Sequence, residues 1–496
     1  MPTSSPTEAS AAFVCECRWM SRSACEGLPF HSSYEGKRYC VLHYPGKEKA
    51  AAFTEALKRK LDAEDFNFRG VWFPSYINFG DYTFTKPANF GDATFSEVVR
   101  FNSATFNAEA DFSLATFSLG ANFRSATFNA EANFVCAKFS AMVSFESATF
   151  SAVARFGMTD FSAMASFSFA TFSAGAHFES ATFSATASVF KGVSFQSATF
   201  SAGAYFESAT FSTVVYFESA TFSAEADFDS AMFSAVADFG SATFKDYVRF
   251  AGTKEKQVFG DNSSLNLQFA RIEKPDRCSF HTLKLCPHWF VNVDARKFDF
   301  INVDWIWRNT KQEIETFQKE QEIQRENSLS IHRLLAVARR NLAVNAEENH
   351  RYEEASKFRY MAMEARRLER WRGFAFWTLG WWYWLASGYG ERVWRAFVVL
   401  IGVWTVAAVL YTQVGFVRWE TRVSNEQEAW QAKRDEVGEP LRWRRALTYS
   451  LGVMTLQKPE PKPATNAAQA LVMIETILGP VQAALLALAI RRKFMR

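Results

Sequence analysis

Apolar and polar positions fall into three regimes along the 496-residue chain, and the first is the most regular. Between Phe79 and Phe250 a phenylalanine returns at alternating intervals of five and six residues, as at Phe101, Phe106, Phe112, Phe117, Phe123 and Phe128. Two residues before most of them sits a small side chain (Ala104, Ala110, Ala115, Ala121, Ala126), and polar residues fill most of the remainder. The eleven-residue double step also suits a right-handed helical supercoil, so a helix is the first alternative. It fails, because steps of five and six residues at about 100° per residue throw successive rings to different sides of a helix. Ser, Thr, Asn and Phe are also weaker helix formers than Ala and Leu. A solenoid accommodates the pattern: each unit forms one short side of a coil, with Phe and Ala inward and Ser, Thr, Asp and Glu outward.

Ala88-Asn89-Phe90, Ala110-Asp111-Phe112, Ala132-Asn133-Phe134 and Ala226-Asp227-Phe228 resemble the signature of the pentapeptide-repeat family, A(D/N)LXX with Leu or Phe at its centre. The resemblance covers roughly a third of the chain. It implies a right-handed quadrilateral β-helix of four sides per coil. Alternating sides then predict about 22 residues per coil, roughly eight coils, and a rod on the order of 40 Å long at about 4.8 Å per coil. Val-Phe-Lys-Gly-Val interrupts the ladder within Val189–Phe195, where a one-residue slip and a bulge are expected. Lys47 to Glu64 reads as an amphipathic helix capping the open end, as solenoids require. After Phe250 an irregular apolar rhythm runs to Trp305 and reads as the last coils and their cap, with Cys278 and Cys286 buried among them.

The second regime begins at Asn309 with a period near 3.6 and predicts helices over Thr310–Asn327, Ile331–Ala346 and Tyr352–Arg372. The last two, joined through Asn345–His350, resemble a tetratricopeptide hairpin, which cannot bury its face alone. The third regime is apolar. Gly373–Gly390 carries no charge and is rich in Trp and Tyr, which predicts a helix lying at the headgroup level. Ala396–Phe416 and Ala467–Ile490 are each long enough to cross a bilayer. Trp443–Leu456 between them is too short to cross, and the prolines of Gln457–Pro463 keep that stretch extended. The predicted organisation is 1–64 metal-binding segment and cap, 65–308 β-solenoid, 309–372 helical hairpin, 373–394 interfacial helix and 395–496 two-span helical membrane domain.

Span, short helix, loop and span is an order similar to that of the two-span pore-loop ion channels. By that likeness Thr448 to Thr455 is the pore helix, Thr455 to Lys458 holds the filter position, and the second span, with Glu475 and Gly479, lines a pore shared by four subunits. Potassium channels of this class carry Thr-Val-Gly-Tyr-Gly. This chain has Thr455-Leu456-Gln457-Lys458-Pro459 instead, without glycines whose carbonyls ring the ion, so potassium selectivity is not expected. Lys458 and Lys462 round a ring favour anions, Glu460 and Glu475 favour cations, and the sign stays open. A carboxylate within a span needs water or a partner, so Glu475 has a functional reading and a structural one, a hydrogen bond to the short helix through Thr448 or Tyr449. Gly479-Pro480 loosens the second span, as a gating hinge or as a static kink.

Charge sharpens this division. Acidic residues outnumber basic ones by eight between 79 and 250, the last third of the chain is basic, and the net charge is +3. Cations flank the outer ends of both spans, which places those ends and the solenoid in the cytoplasm of a bacterial inner or plasma membrane. Residues 1 to 12 have neither a basic n-region nor an apolar h-region, so no secretory signal is expected and thiols stay reduced. Four of the seven cysteines, Cys15, Cys17, Cys25 and Cys40, precede His43. Three thiolates and one imidazole complete a tetrahedral structural zinc site, with Cys15 and Cys17 competing for one position and His31 in reserve. No nucleophile, base and orienting group cluster at motif spacing, so no enzyme is expected. The expected partners are the lipid bilayer, other copies of the chain, permeant ions, and an unidentified protein or ligand regulator, but no nucleic acid. The expected function is an oligomeric channel with a cytoplasmic regulatory solenoid; the alternative is a membrane-anchored interaction module without conduction.

Overall fold

The computed structural model describes residues 13–17, 24–25, 28–184, 192–321, 330–369, 378–424, 427–433 and 439–494. They form two compact units, Met1–Asn309 and Thr310–Arg496.

In the first unit, strands mostly two residues long stack into four parallel sheets of ten, eight, nine and nine strands. Through the regular part of the ladder a strand pairs with the one 22 residues on, as Ala110 with Ala132 and Thr127 with Thr149. The rings follow the backbone. Phe106, Phe128, Phe150 and Phe172 stack at 4.8, 4.8 and 4.9 Å, the separation of neighbouring strands. Rings from different columns meet edge to face, as Phe101 and Phe112 do at 5.5 Å and 85°, the arrangement that aromatic quadrupoles favour. Ala104 and Ala115 are fully buried, so a small side chain shares each layer with the rings.

The corners explain the alternation of five and six. Ser103, Leu114, Ser125, Cys136, Ser147, Met158 and Phe169 lie eleven residues apart, all with φ between 54° and 60°. At each such corner the chain closes a tight turn, as where Ala104 N–H donates to Phe101 O at 3.0 Å, with the left-handed residue third in the turn. The other corners are wider and hold the sixth residue. The Asp or Asn after the small residue also acts locally, since Asp111 Oδ1 accepts from Ser113 N–H and Asn122 Oδ1 from Arg124 N–H, each at 2.9 Å. Such side chains mimic a backbone turn.

The solenoid has about ten turns, where the Phe79–Phe250 ladder predicts eight. Rings outside the ladder extend it, Phe68 on Phe90 at 5.0 Å, Phe280 on Phe250 at 5.2 Å and Phe300 on Phe280 at 5.5 Å. The interruption is also of a different kind. Residues 185–191 lie outside the described ones, but Thr171 pairs with Thr199, 28 residues on, where its neighbours pair 22 on. Six residues are therefore inserted, and no one-residue slip occurs. A one-residue slip would turn every ring outward, whereas Phe167 stacks on Phe195 at 4.8 Å.

At the N-terminal end a hairpin, Phe30–Tyr34 with Lys37–Cys40, precedes helix α1 (Ala50–Asp62). α1 buries Phe53, Ala56 and Leu57, with the Phe53 ring edge-on to Phe73 at 5.4 Å. Cys278 and Cys286 are buried near the other end.

The second unit is helical: α2 (Thr310–Gln321), α3 (Ile331–Glu348), α4 (Tyr352–Glu369), α5 (Leu379–Ser387), α6 (Val393–Tyr411), α7 (Trp443–Met454) and α8 (Asn466–Phe494). The ends of the expected helices to Asn327 and Arg372, and residues 373–377 of the aromatic stretch, lie outside the described residues. The α3–α4 hairpin is tied to α2 through Arg339, which is fully buried, pairs with Glu313 and donates to Met361 O at 2.7 Å. Its other face meets α5, where the indole of Trp384 lies between Arg367 and Arg395, at 4.6 and 4.3 Å. Between α6 and α7, residues 418–433 contain an antiparallel hairpin, Arg418–Ser424 with Gln427–Lys433. α6 and α8 are long and apolar enough to cross a membrane, and only 17% of each apolar window is buried within the chain.

Candidate functional site

Near the N-terminus the hairpin strand ends at Cys40, and a turn closed by Tyr44 N–H on Cys40 O at 3.0 Å brings His43 back beside it. Cys15, Cys17, Cys25 and His43 are buried, with their ligand atoms all within 4.8 Å of one another. Cys17 Sγ is 3.9 Å from Cys25 Sγ, and His43 Nδ1 is 3.9 Å from Cys15 Sγ and 3.3 Å from Cys40 Sγ. Ligand atoms around tetrahedral zinc, with bonds of about 2.3 Å to sulfur and about 2.0 Å to nitrogen, stand about 3.5 to 3.8 Å apart. The donors are thus already near coordination spacing, and the cluster can hold a metal ion.

Two features outside the donor set prepare it. His43 Nε2 lies 3.0 Å from Arg69 O, and a carbonyl accepts only from N–H, so Nδ1 keeps its lone pair for a cation. Cys40 N–H donates to Cys15 Sγ at 3.3 Å, which favours a thiolate there. Lys49 is buried close by, donating to Leu42 O at 2.7 Å; burial brings its ammonium down to about 7, although charge on Cys40 and Cys15 favours it. Cys15 and Cys17 both reach the cluster, and His31 packs instead against the Tyr44 ring at 5.5 Å.

In the helical unit the buried polar residues of α8, Glu475 and Gln482, lie on one face. Glu475 is 2% exposed; Tyr411 of α6 donates to its Oε2 at 2.5 Å and Ser450 of α7 donates to its Oε1. Ala407, Ala408, Tyr449 and Val453 close around the junction. Trp404 Nε1 donates to Leu447 O at 3.0 Å and joins α6 to α7 a second time. Gly479, one turn beyond Glu475, admits α7: a Cβ there would stand 3.0 Å from Met454 Cα. Gln482 lies two turns beyond Glu475, and its Nε2 donates to Ala386 O and Ala396 O, both at 2.8 Å. Buried polar groups are costly unless paired, and these pairs fix α8 against α5, α6 and α7.

Thr455, Leu456, Gln457, Lys458, Glu460 and Lys462 lie together on the exposed connection from α7 to α8. The connection is attached at both ends: Gln457 N–H donates to Gly452 O at 2.8 Å, and Val417 N–H to Lys462 O at 2.9 Å. Glu475 is not among them but in the interior, and Pro480 sits inside an unbroken α8. Thr448 and Tyr449, the partners expected for Glu475, give way to Ser450. At about 100° per residue along α7, the Thr448 hydroxyl instead returns to its own helix, at 3.0 Å from Arg445 O. Arg339 escaped the sequence reading and Gln482 was read only as a polar interruption of the second span, although each left a signal of its role. Arg339 interrupts the apolar stripe Leu335, Ala338 and Leu342, and Gln482 recurs on the Glu475 face after seven residues.

Comparison with known proteins bears on the solenoid. Residues 185–232 match the family model for pentapeptide repeats (9 copies), in agreement with the coil geometry. No curated protein and no solved structure matches the chain.

Proposed function

We propose that the chain is one subunit of a homo-oligomeric membrane ion channel, four subunits favoured, with the pentapeptide-repeat solenoid as its cytoplasmic regulatory or scaffold domain. The observation that carries this reading is α7. A helix too short to cross a bilayer is held by a buried polar junction between two helices that are long enough, and it leads into a non-helical connection. Irregular backbone at that depth is tolerated where it borders water. Single subunits of two spans cannot enclose a pathway, and α8 leaves Gln469, Met473, Thr476 and Ile477 exposed, available to a pore or to neighbouring copies.

The Glu475 carboxylate is engaged within the chain, so in this reading it positions the pore helix. Lys458 and Lys462 then outnumber Glu460 on the exposed connection, which supports a preference for anions. Purified protein in planar bilayers tests this: single-channel steps are expected, and Lys458→Glu should move the reversal potential toward cations. Intact oligomers that give no steps would overturn the channel. The second reading, a membrane-anchored interaction module, draws support from the solenoid surface, where Leu114 and Met158, 50% and 59% exposed, occupy the same corner two coils apart.

For the cysteine cluster we propose structural zinc held by three thiolates and an imidazole, with four protein ligands leaving no open position for a substrate. Elemental analysis should find about one zinc per chain, and protein purified without chelators that holds essentially none would refute it.

A further inference from the structure

Where α3, α4, α5 and α8 come together, a cavity of about 390 Å³ opens, and neither the metal cluster nor the Glu475 junction uses it. Three cations line it, Arg340 from α3, Arg359 from α4 and Arg492 from the last turn of α8. The carboxylate among them, Glu391, is already engaged by Arg492 at 3.3 Å and by the Ser356 hydroxyl at 2.6 Å. Arg359 pairs with Glu347, while its Nη1 is buried with no hydrogen-bond partner among the described residues. Arg340 makes no ion pair among the described residues, and burial together with the charge of Arg366 works against its protonation. A guanidinium nevertheless stays charged at ordinary pH, so the cavity keeps a positive surplus and donors without an acceptor. Between the cations the wall is apolar, from Ala343 and Val344 to Met363 and the ring of Tyr383.

A bare anion would satisfy the donors and leave most of this volume empty. The cavity falls within the range of about 300 to 1,000 Å³ that accommodates small organic ligands. Guanidinium forks match the oxygens of phosphate with two bonds each.

We propose that this cavity binds a phosphate ester with an apolar or aromatic body, Arg340 and Arg359 donating to the phosphate and the Met363–Tyr383 wall receiving the rest. Two sources share that chemistry. One is the headgroup of an anionic lipid, since basic pockets at the ends of membrane helices take such headgroups and the neighbouring α5 exposes Leu379 and Trp382. The other is a soluble phosphate ester. The site is independent of conduction, because an anchored module without a pore would keep it.

The test uses the full chain in neutral detergent, titrated calorimetrically with dihexanoyl phosphatidic acid, adenosine monophosphate and inorganic phosphate. Saturable binding of at least one ester is expected, weakened about tenfold by Arg340→Gln and abolished by Met363→Trp, which fills the cavity. Both variants should melt like the parent without ligand; a variant that does not is set aside and the other decides. Tighter binding of phosphatidic acid assigns the site to lipid, and tighter binding of the nucleotide assigns it to a soluble ester. Absence of saturable binding by either ester, or unchanged affinity in the folded variants, overturns the site. Inorganic phosphate binding as tightly as the esters overturns the role of the apolar wall.

Discussion

Phe128 meets one ring above and one below, each at 4.8 Å, and Phe150 and Phe172 repeat the arrangement along the same column. In the helical unit Glu475, Gln482 and Arg339 each have a partner set of their own, from residues 64, 96 and 26 positions away. The solenoid therefore spreads its stability over many nearly equal nearest-neighbour contacts, while the helical unit concentrates it in a few unique polar pairs. That difference explains why six residues can be inserted between Phe183 and Phe195 with the ring columns intact. A coil needs only the next coil in register, whereas moving any one helix of the other unit strands a buried donor or acceptor.

The largest expected effect lies at the N-terminal end, in the cysteine–histidine cluster proposed to hold zinc. Structural zinc in small domains contributes on the order of 10 kcal/mol, so chelation should abolish hydrogen-exchange protection of the Phe30–Cys40 hairpin. Protection at Phe128–Phe172 should persist; its loss there would break the picture of coils stabilised by their neighbours. Next comes Arg339→Ala, expected to destabilise the helical unit by about 3–5 kcal/mol because it leaves a buried carboxylate uncompensated. Urea unfolding followed at the Trp residues of that unit reads this, and Arg339→Met with Glu313→Leu should restore most of the loss. In the solenoid, Phe128→Ala, Phe150→Ala and Phe172→Ala should each cost about 3–5 kcal/mol. Equality within about 1 kcal/mol across the three is what repetition demands, and a wide spread in their denaturation midpoints would sharpen the coil into distinct regions.

The smallest effect has the opposite sign. Phe169 holds φ at 60° on an exposed corner, a conformation that costs a bulky residue roughly 1–2 kcal/mol. Phe169→Asn should raise the solenoid's stability by about 1 kcal/mol, seen as a higher midpoint. A decrease would mean that the ring has a partner worth more than the strain.

Legibility followed the range of the interactions. The coil was readable because its rule is local: a ring every five or six residues, a small residue two before it and most often a Thr, Asn or Asp between. Its coil count was low because it began at Phe79, although Phe68 and Phe73 already keep the five-and-six spacing, and because Phe280 and Phe300 join the columns at irregular spacing. In the cysteine cluster, Cys40 and His43 were readable as a pair from their separation. That Cys15 and Cys17 both reach the centre depends on how the chain before the hairpin folds back. The hairpin over Arg418–Lys433 left only a weak signal, an alternation at Trp419, Thr421 and Val423 interrupted by charges.

The amino-acid order by itself thus determined the solenoid, the helical runs and which helices are apolar enough for a bilayer, because each depends on side-chain periodicity along one segment. Only the tertiary structure decided that Glu475 meets Tyr411 and Ser450, that Gly479 lets Met454 close in, and that three arginines surround one cavity. Those outcomes depend on the rotation and depth at which separate helices pack, and one residue of rotation, about 100°, exchanges a buried partner for an exposed one.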